Sequence, residues 1–296
     1  MILSTVAHLF ISTFLLMGIP GLEGVHIWIS IPVCLMTEPS LHEPMYHFLS
    51  MLALSDLGLS FSSLPTMLRI FLFNAMGISV DACIAQEFFI HGFTDMESSV
   101  LLIMSFDRFV AICNPLRYRS ILTSSRVLHI GLAFAFKILP LPFTLKRLKY
   151  YNKRLLSHSY CLHQDIMNLA CSDNRVNFYN GLFVALCMMS DSMLIVVSYV
   201  FILKTVLGIA SHREWLKALN TCVSHICAVL IFYVPIITLA LMHCFPKHTP
   251  PVAMILMADA FLLVPPLMNP ILYCIKTQQI RVKVLEKLEK LCLKSK

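Results

Sequence analysis

The chain has 296 residues, 58% of them hydrophobic and only 13% charged, with a formal net charge of +7. That charged share is about half of what a soluble domain carries. The composition therefore argues against a soluble enzyme, a nucleic-acid-binding domain and a disordered chain, and in a membrane protein the basic surplus marks cytoplasmic loops.

A membrane-spanning helix needs about 20 apolar residues to cross a hydrocarbon core of about 30 Å. Residues 2–20 are apolar, Gly21–Gly24 interrupts, and Val25–Met36 is apolar again. The second piece would cover only about 18 Å as a helix, too little to cross alone. Residues 1–24 read as an apolar leader without the basic start of a signal peptide, or as part of a broken span. Six runs then qualify as spans: Met45–Leu68, Ala82–Ser105, Val127–Leu145, Asn180–Leu203, Ala218–His243 and Pro251–Ile275. Beyond them Ile280, Val284, Leu288 and Leu291 recur at helical spacing, with lysines on the other faces. Residues 277–296 are thus expected as a short amphipathic helix on the inner membrane surface, in contact with lipid. Cys292 within it is either acylated or a plain thiol.

Basic residues orient the bundle. With the C-terminus inside, 14 Lys and Arg fall on the inner side and 8 on the outer, and Lys137 lies within a span. The excess of positive charge favours that orientation, against the pull of a basic outer loop at 146–154.

Ionisable residues inside spans are costly and so point to function. Asp56, Glu97 and Asp259 are of this kind. Asp56 and Glu97 either share a cation, a proton or water across the bundle, or make a structural contact between helices. Asp107 and Arg108 stand at the inner end of the second run, as a latch for a two-state bundle or as a solvated pair. Asn269-Pro270, with Tyr273 one turn below, marks a bend in the last span that serves as a hinge or is simply tolerated. The 11 cysteines form no CxxC pair, and no GxSxG, HExxH or paired-Asp motif occurs. No metal, cofactor or catalytic residue is expected.

Four segments, in order, resemble the signature segments of odorant receptors, which are rhodopsin-like G-protein-coupled receptors. They are His42–Gly58 (HEPMYHFLSMLALSDLG), Met104–Tyr118 (MSFDRFVAICNPLRY), Lys217–Pro235 (KALNTCVSHICAVLIFYVP) and Pro265–Cys274 (PPLMNPILYC). Gly18–Trp28 and Ser157–Asp173 further resemble the class I, or fish-like, branch. The resemblance implies an all-α membrane protein: a seven-transmembrane-helix bundle of the rhodopsin-like type, its receptor domain at 25–276. It also implies a small-molecule odorant and a heterotrimeric G protein as partners, no nucleic acid, and no catalysis.

By that resemblance Arg108 with Asp107 is the latch on the G-protein side, and Asn269, Pro270 and Tyr273 form the activation hinge, with Asp56 in the polar network. Cys83 is bridged to the loop after the fourth span, with Cys161 as preferred partner and Cys171 as runner-up. His91 stands 17 residues before Arg108 on one helix, about 25 Å above it. A pocket at that level would take in His91, Thr94, Asp95, His163, Phe183, Met242 and Asp259. Class I receptors tend toward polar odorants, including short carboxylic acids. An acid would need a cation, for which His91 and His163 are the candidates.

The chain departs from the family pattern at its start. Met36 is followed at once by Thr37-Glu38-Pro39, which already belongs to the inner loop. The second half of the first helix, with the Asn that would partner Asp56, is missing. Two functions follow from this: a working odorant receptor at the plasma membrane, or a non-functional, receptor-like product retained in the endoplasmic reticulum. A transporter is disfavoured because no internal repeat is seen.

Overall fold

The computed structural model describes residues 44–114, 140–148, 156, 158–170, 173, 175–208, 212–244 and 249–276. The leader, the partial first helix, most of the predicted span Val127–Leu145 and the amphipathic tail lie outside the described residues. Seven helices are described: α1 Pro44–Phe73, α2 Val80–Cys113, α3 Pro140–Leu145, α4 His163–Asn168, α5 Arg175–Leu207, α6 His212–Cys244 and α7 Pro251–Lys276. The end that carries Arg108 is the inner end, after the charge asymmetry of the sequence.

Each long helix contains its predicted span and extends past it at one or both ends. Hydropathy registers only the hydrocarbon core, whereas helices run on into the headgroup layer. Four are long and apolar enough to cross a membrane, over His47–Phe73, Arg175–Leu207, Cys222–His243 and Pro251–Leu272. Helix α5 is widely open: Phe183, Leu186, Met193, Val196, Val200 and Phe201 are all exposed. An apolar helix with such a surface belongs against lipid.

Helix α2 is different. It is long enough to cross, at 34 residues, but Glu87 lies in its outer part and Asp95 and Glu97 in its middle. All three are buried, so the helix hides its polar groups against neighbours rather than from them. It packs chiefly on α1 and α5, and also on α6. Its start is fixed by Ser79, whose hydroxyl accepts from Ala82 N–H at 3.3 Å. The turn before it closes at Asn74, in the left-handed region at φ 50°, where Ala75 N–H reaches back to the Arg69 carbonyl at 3.1 Å.

Three apolar clusters fill the bundle. The inner one joins Phe48, Leu52, Leu101, Ile202 and Phe232. The outer one joins Leu59, Ile90, Tyr160, Leu239 and Leu262. A third surrounds Cys83 and Cys161 with Leu145, Leu148 and Ile166. Prolines interrupt the backbone ladder at Pro65 in α1, Pro235 in α6, and Pro265, Pro266 and Pro270 in α7.

Gly58 sets how closely α1 approaches α2. A Cβ placed there would come within 2.3 Å of the Phe93 ring. Gly58→Val is expected to destabilise the bundle by about 1–3 kcal/mol through overpacking, read as a lower thermal midpoint of the detergent-solubilised protein. Gly77→Val, with nothing within 4 Å of its added Cβ, should leave the midpoint close to that of the parent.

Candidate functional site

The polar groups of the bundle form links at three levels. At mid-depth, the side-chain amide of Asn269 on α7 donates to Asp56 Oδ1 and Oδ2 on α1, at 3.1 and 3.3 Å. It also lies 3.0 Å from Glu97 Oε1 on α2. All three residues are buried. One amide therefore ties three helices, at the residue just before Pro270, where the ladder of α7 is broken. Two acidic groups on one amide can also share a proton or a cation. Among the described residues no group of three or more His, Cys, Asp or Glu is arranged to hold a metal.

A second link at this depth crosses to α5 and α6. Ser98 Oγ donates to Asp191 Oδ2 at 3.1 Å and lies 2.8 Å from the Tyr233 hydroxyl. At the inner end Arg108 Nη2 pairs with Asp107 Oδ2 at 3.1 Å, Asp107 being buried and Arg108 partly exposed. Close by, Tyr199 on α5 hydrogen-bonds His225 on α6, and their rings stack at 5.7 Å. Cys113 and Thr205 join α2 to α5 at 3.2 Å. The inner ends of α2, α5 and α6 are thus held by polar contacts that a helix movement can break and remake.

At the outer end a loop lies over the bundle. The disulfide Cys83–Cys161 binds it to α2. Gln86 repeats the attachment without a covalent bond. Its Oε1 accepts from Cys161 N–H at 3.1 Å, and its Nε2 donates to Ser62 O and Thr66 Oγ1 on α1 at 2.8 and 2.9 Å. The loop then reaches α6 and α7. His158 meets Asp165 at 2.8 Å and stacks on His243, Ser159 donates to Asp259 Oδ2 at 3.3 Å, and Tyr160 donates to the Ala258 carbonyl at 3.4 Å. Burial pushes the Tyr160 phenol up, with Asp259 and Asp165 adding to the shift, so it remains a donor. His163 Nδ1 meets Glu87 Oε1 at 2.9 Å, and His91 Nε2 approaches the same oxygen at 3.5 Å.

The candidate residues sort accordingly. His91 and His163 meet at Glu87, their rings 6.0 Å apart. Thr94 and Asp95 are buried on α2 below them, Met242 is half-buried on α6, and Asp259 faces the loop. Phe183 is 54% exposed on α5 and does not turn into the bundle. Asp107 with Arg108, and Asp56 with Asn269, are brought together; the Tyr273 side chain and Cys171 lie outside the described residues. Sequence reasoning missed Asp191, Tyr199, His225 and Gln86. Asp191 carried the same signal as Asp56, a carboxylate inside an apolar run. His225 and Tyr233 sat unremarked within the quoted Lys217–Pro235 segment.

Nothing in this arrangement performs covalent chemistry. Polar links run from a lidded outer end to a charged inner end, through helices suited to lipid, and such a build is that of a helical membrane receptor of the G-protein-coupled class. The olfactory receptor family model matches residues 19–290. Human olfactory receptor 51A7 is 68% identical, over 95% of this chain and 97% of its own length. Human olfactory receptor 51A4 is 65% identical, over 94% and 95%. Human olfactory receptor 51G2 is 56% identical, over 92% and 94%. The chain belongs to the olfactory receptor family, in its class I branch. It is a multi-pass plasma membrane protein and not an enzyme. The first alignment runs over 302 positions, of which 95% of a 296-residue chain fills about 281, so about 21 positions have no counterpart here.

Removing the Asn269 amide leaves two buried acidic groups facing each other. Asn269→Ala is expected to cost about 3 kcal/mol, the upper part of the range for a lost partner of a buried polar group. In the double variant Asn269→Ala with Glu97→Gln the loss should fall short of the sum of the single losses, because the residues share one network. Thermal unfolding of the four proteins in detergent measures both.

Proposed function

We propose that this receptor binds a small volatile or short polar molecule at its outer end and passes the event to a heterotrimeric G protein through the buried network. The observation that carries the reading is the Asn269 amide between Asp56 and Glu97. It couples the proline-interrupted α7 to α1 and α2, the two helices that Gln86 also bridges under the loop. In this reading His91, Thr94, Asp95, His163, Met242 and Asp259 face the ligand. Asn269, Pro270 and Tyr273 form the hinge, and Asp56 with Glu97 sets its resting position. Asp107 and Arg108 form the inner latch, beside the Tyr199–His225 contact, which parts as α6 moves. The two states differ in which polar contacts are made, and a ligand selects one of them by its differential affinity.

A second reading is favoured by the shortfall of about 21 positions within the aligned stretch. Together with the junction of Met36 and Thr37, where half a helix is missing by sequence, it supports a product retained in the endoplasmic reticulum. An N-terminal half-helix too short to cross leaves Asp56 without its expected Asn neighbour and leaves the N-terminus without a route outward.

Surface labelling of an N-terminally tagged copy on intact cells separates the two. The comparison is a copy with the first-helix segment of a relative inserted between Met36 and Thr37. Equal labelling supports the working receptor, and labelling of the repaired copy alone supports retention. In the copy that reaches the surface, Arg108→Ala is expected to abolish ligand-stimulated nucleotide exchange on the G protein while ligand binding persists.

A further inference from the structure

Among the described residues the outer site is poor in the charge that a carboxylic acid would need. His91 and His163, the two candidate cations, both turn onto Glu87, and both onto the same oxygen, Oε1. Glu87 is fully buried and its Oε2 has no hydrogen-bond partner. His163 is held in place on two further sides. Its Nε2 lies 3.4 Å from the Asn177 carbonyl, and α5 approaches it at Gly181, where a Cβ would come within 3.2 Å of the ring. The Asn177 side chain, on the same helix, keeps a buried Oδ1 without a partner. Thr94, two turns below Glu87 on α2, keeps a buried hydroxyl without one.

Glu87 Oε2 and Asn177 Oδ1 are thus buried acceptors without a donor. The described lysines and arginines of the outer end, Arg69, Lys146, Arg147 and Arg175, are all exposed. Lys146 and Arg175 are already turned toward Asp81 and Asp173 on the surface. A ligand carboxylate entering here would meet the buried Glu87 in a low-dielectric setting, with no arginine or lysine among the described residues turned in to offset the repulsion. A ligand that brings N–H donors and positive charge would satisfy Glu87 Oε2 and Asn177 Oδ1 and leave its apolar body to the bundle.

We propose that the outer site takes a small aliphatic amine in its ammonium form, with Glu87 as counter-ion and Asn177 as second acceptor, and that it rejects short carboxylic acids. The proposal rests on the ligand-binding reading above and names the ligand class of that same site.

The test uses the purified full chain in detergent, with matched five-carbon probes at neutral pH and constant ionic strength: n-pentylamine, n-pentanol, 2-pentanone and pentanoic acid. The amine is expected to raise the thermal midpoint by a few degrees at saturating concentration, and the acid to leave it unchanged. Glu87→Gln keeps an acceptor for His163 and removes the charge, and should weaken amine binding at least tenfold. Asn177→Ala should weaken it less. A shift with the acid or ketone and none with the amine overturns the amine proposal while the ligand-binding reading stands. An amine shift that Glu87→Gln does not alter, in a variant whose unliganded midpoint matches the parent, also overturns it. No shift with any probe overturns both.

Discussion

Every polar group placed between helices in a bilayer must find its partner within the protein, because the hydrocarbon offers none. Here that constraint falls most heavily on one side-chain amide. Asn269 holds Asp56 of α1 and Glu97 of α2 together, all three buried, at the place where Pro270 has already freed a backbone carbonyl of α7. The stability of the middle of the bundle and its capacity to switch are therefore the same property. A contact that costs much to break and can be remade elsewhere lets a sub-ångström shift become a change of state.

The rest of the architecture protects that contact from two sides. Below it, the inner cluster and the Tyr199–His225 pair fix α5 against α6. Above it, the loop is bound to α2 by the Cys83–Cys161 bridge and by Gln86, and to α6 and α7 by His158, Ser159 and Tyr160. Helix α2 belongs to both halves. It carries the disulfide, Gln86, Glu87, Glu97 and the Asp107–Arg108 pair on one continuous rod, so a push at its outer end is delivered without a joint between.

The helices were legible in the sequence because each long one contains a run of apolar residues bounded by Pro, Gly or charge. The Asp-Arg pair and the Asn-Pro break were legible for the same kind of local reason. What joins them was not. Gln86 meets Cys161 across 75 positions and Glu87 meets His163 across 76, and no periodicity reports such pairs. Phe183 illustrates the opposite failure: α5 is apolar all round, so its sequence holds no period that separates the lipid face from the bundle face. The family resemblance already preferred Cys161 over Cys171 as the partner of Cys83, and the bridge is made to Cys161.

The acidity of α2 has a consequence for how the chain is made. On the scale of insertion by the translocon, an aspartate at the centre of a helix costs about 2.5–3.5 kcal/mol. Helix α2 carries Asp95 and Glu97 in its middle and Glu87 in its outer part. Such a helix does not partition into lipid by itself, and only in company are its carboxyl groups covered. Its neighbour α1, made just before it, packs along it and meets its Gln86 through Ser62 and Thr66, and is the natural companion. The two are therefore expected to enter the bilayer together, and a defect upstream that delays or misorients α1 would be passed to the helix on which both ends of the receptor depend.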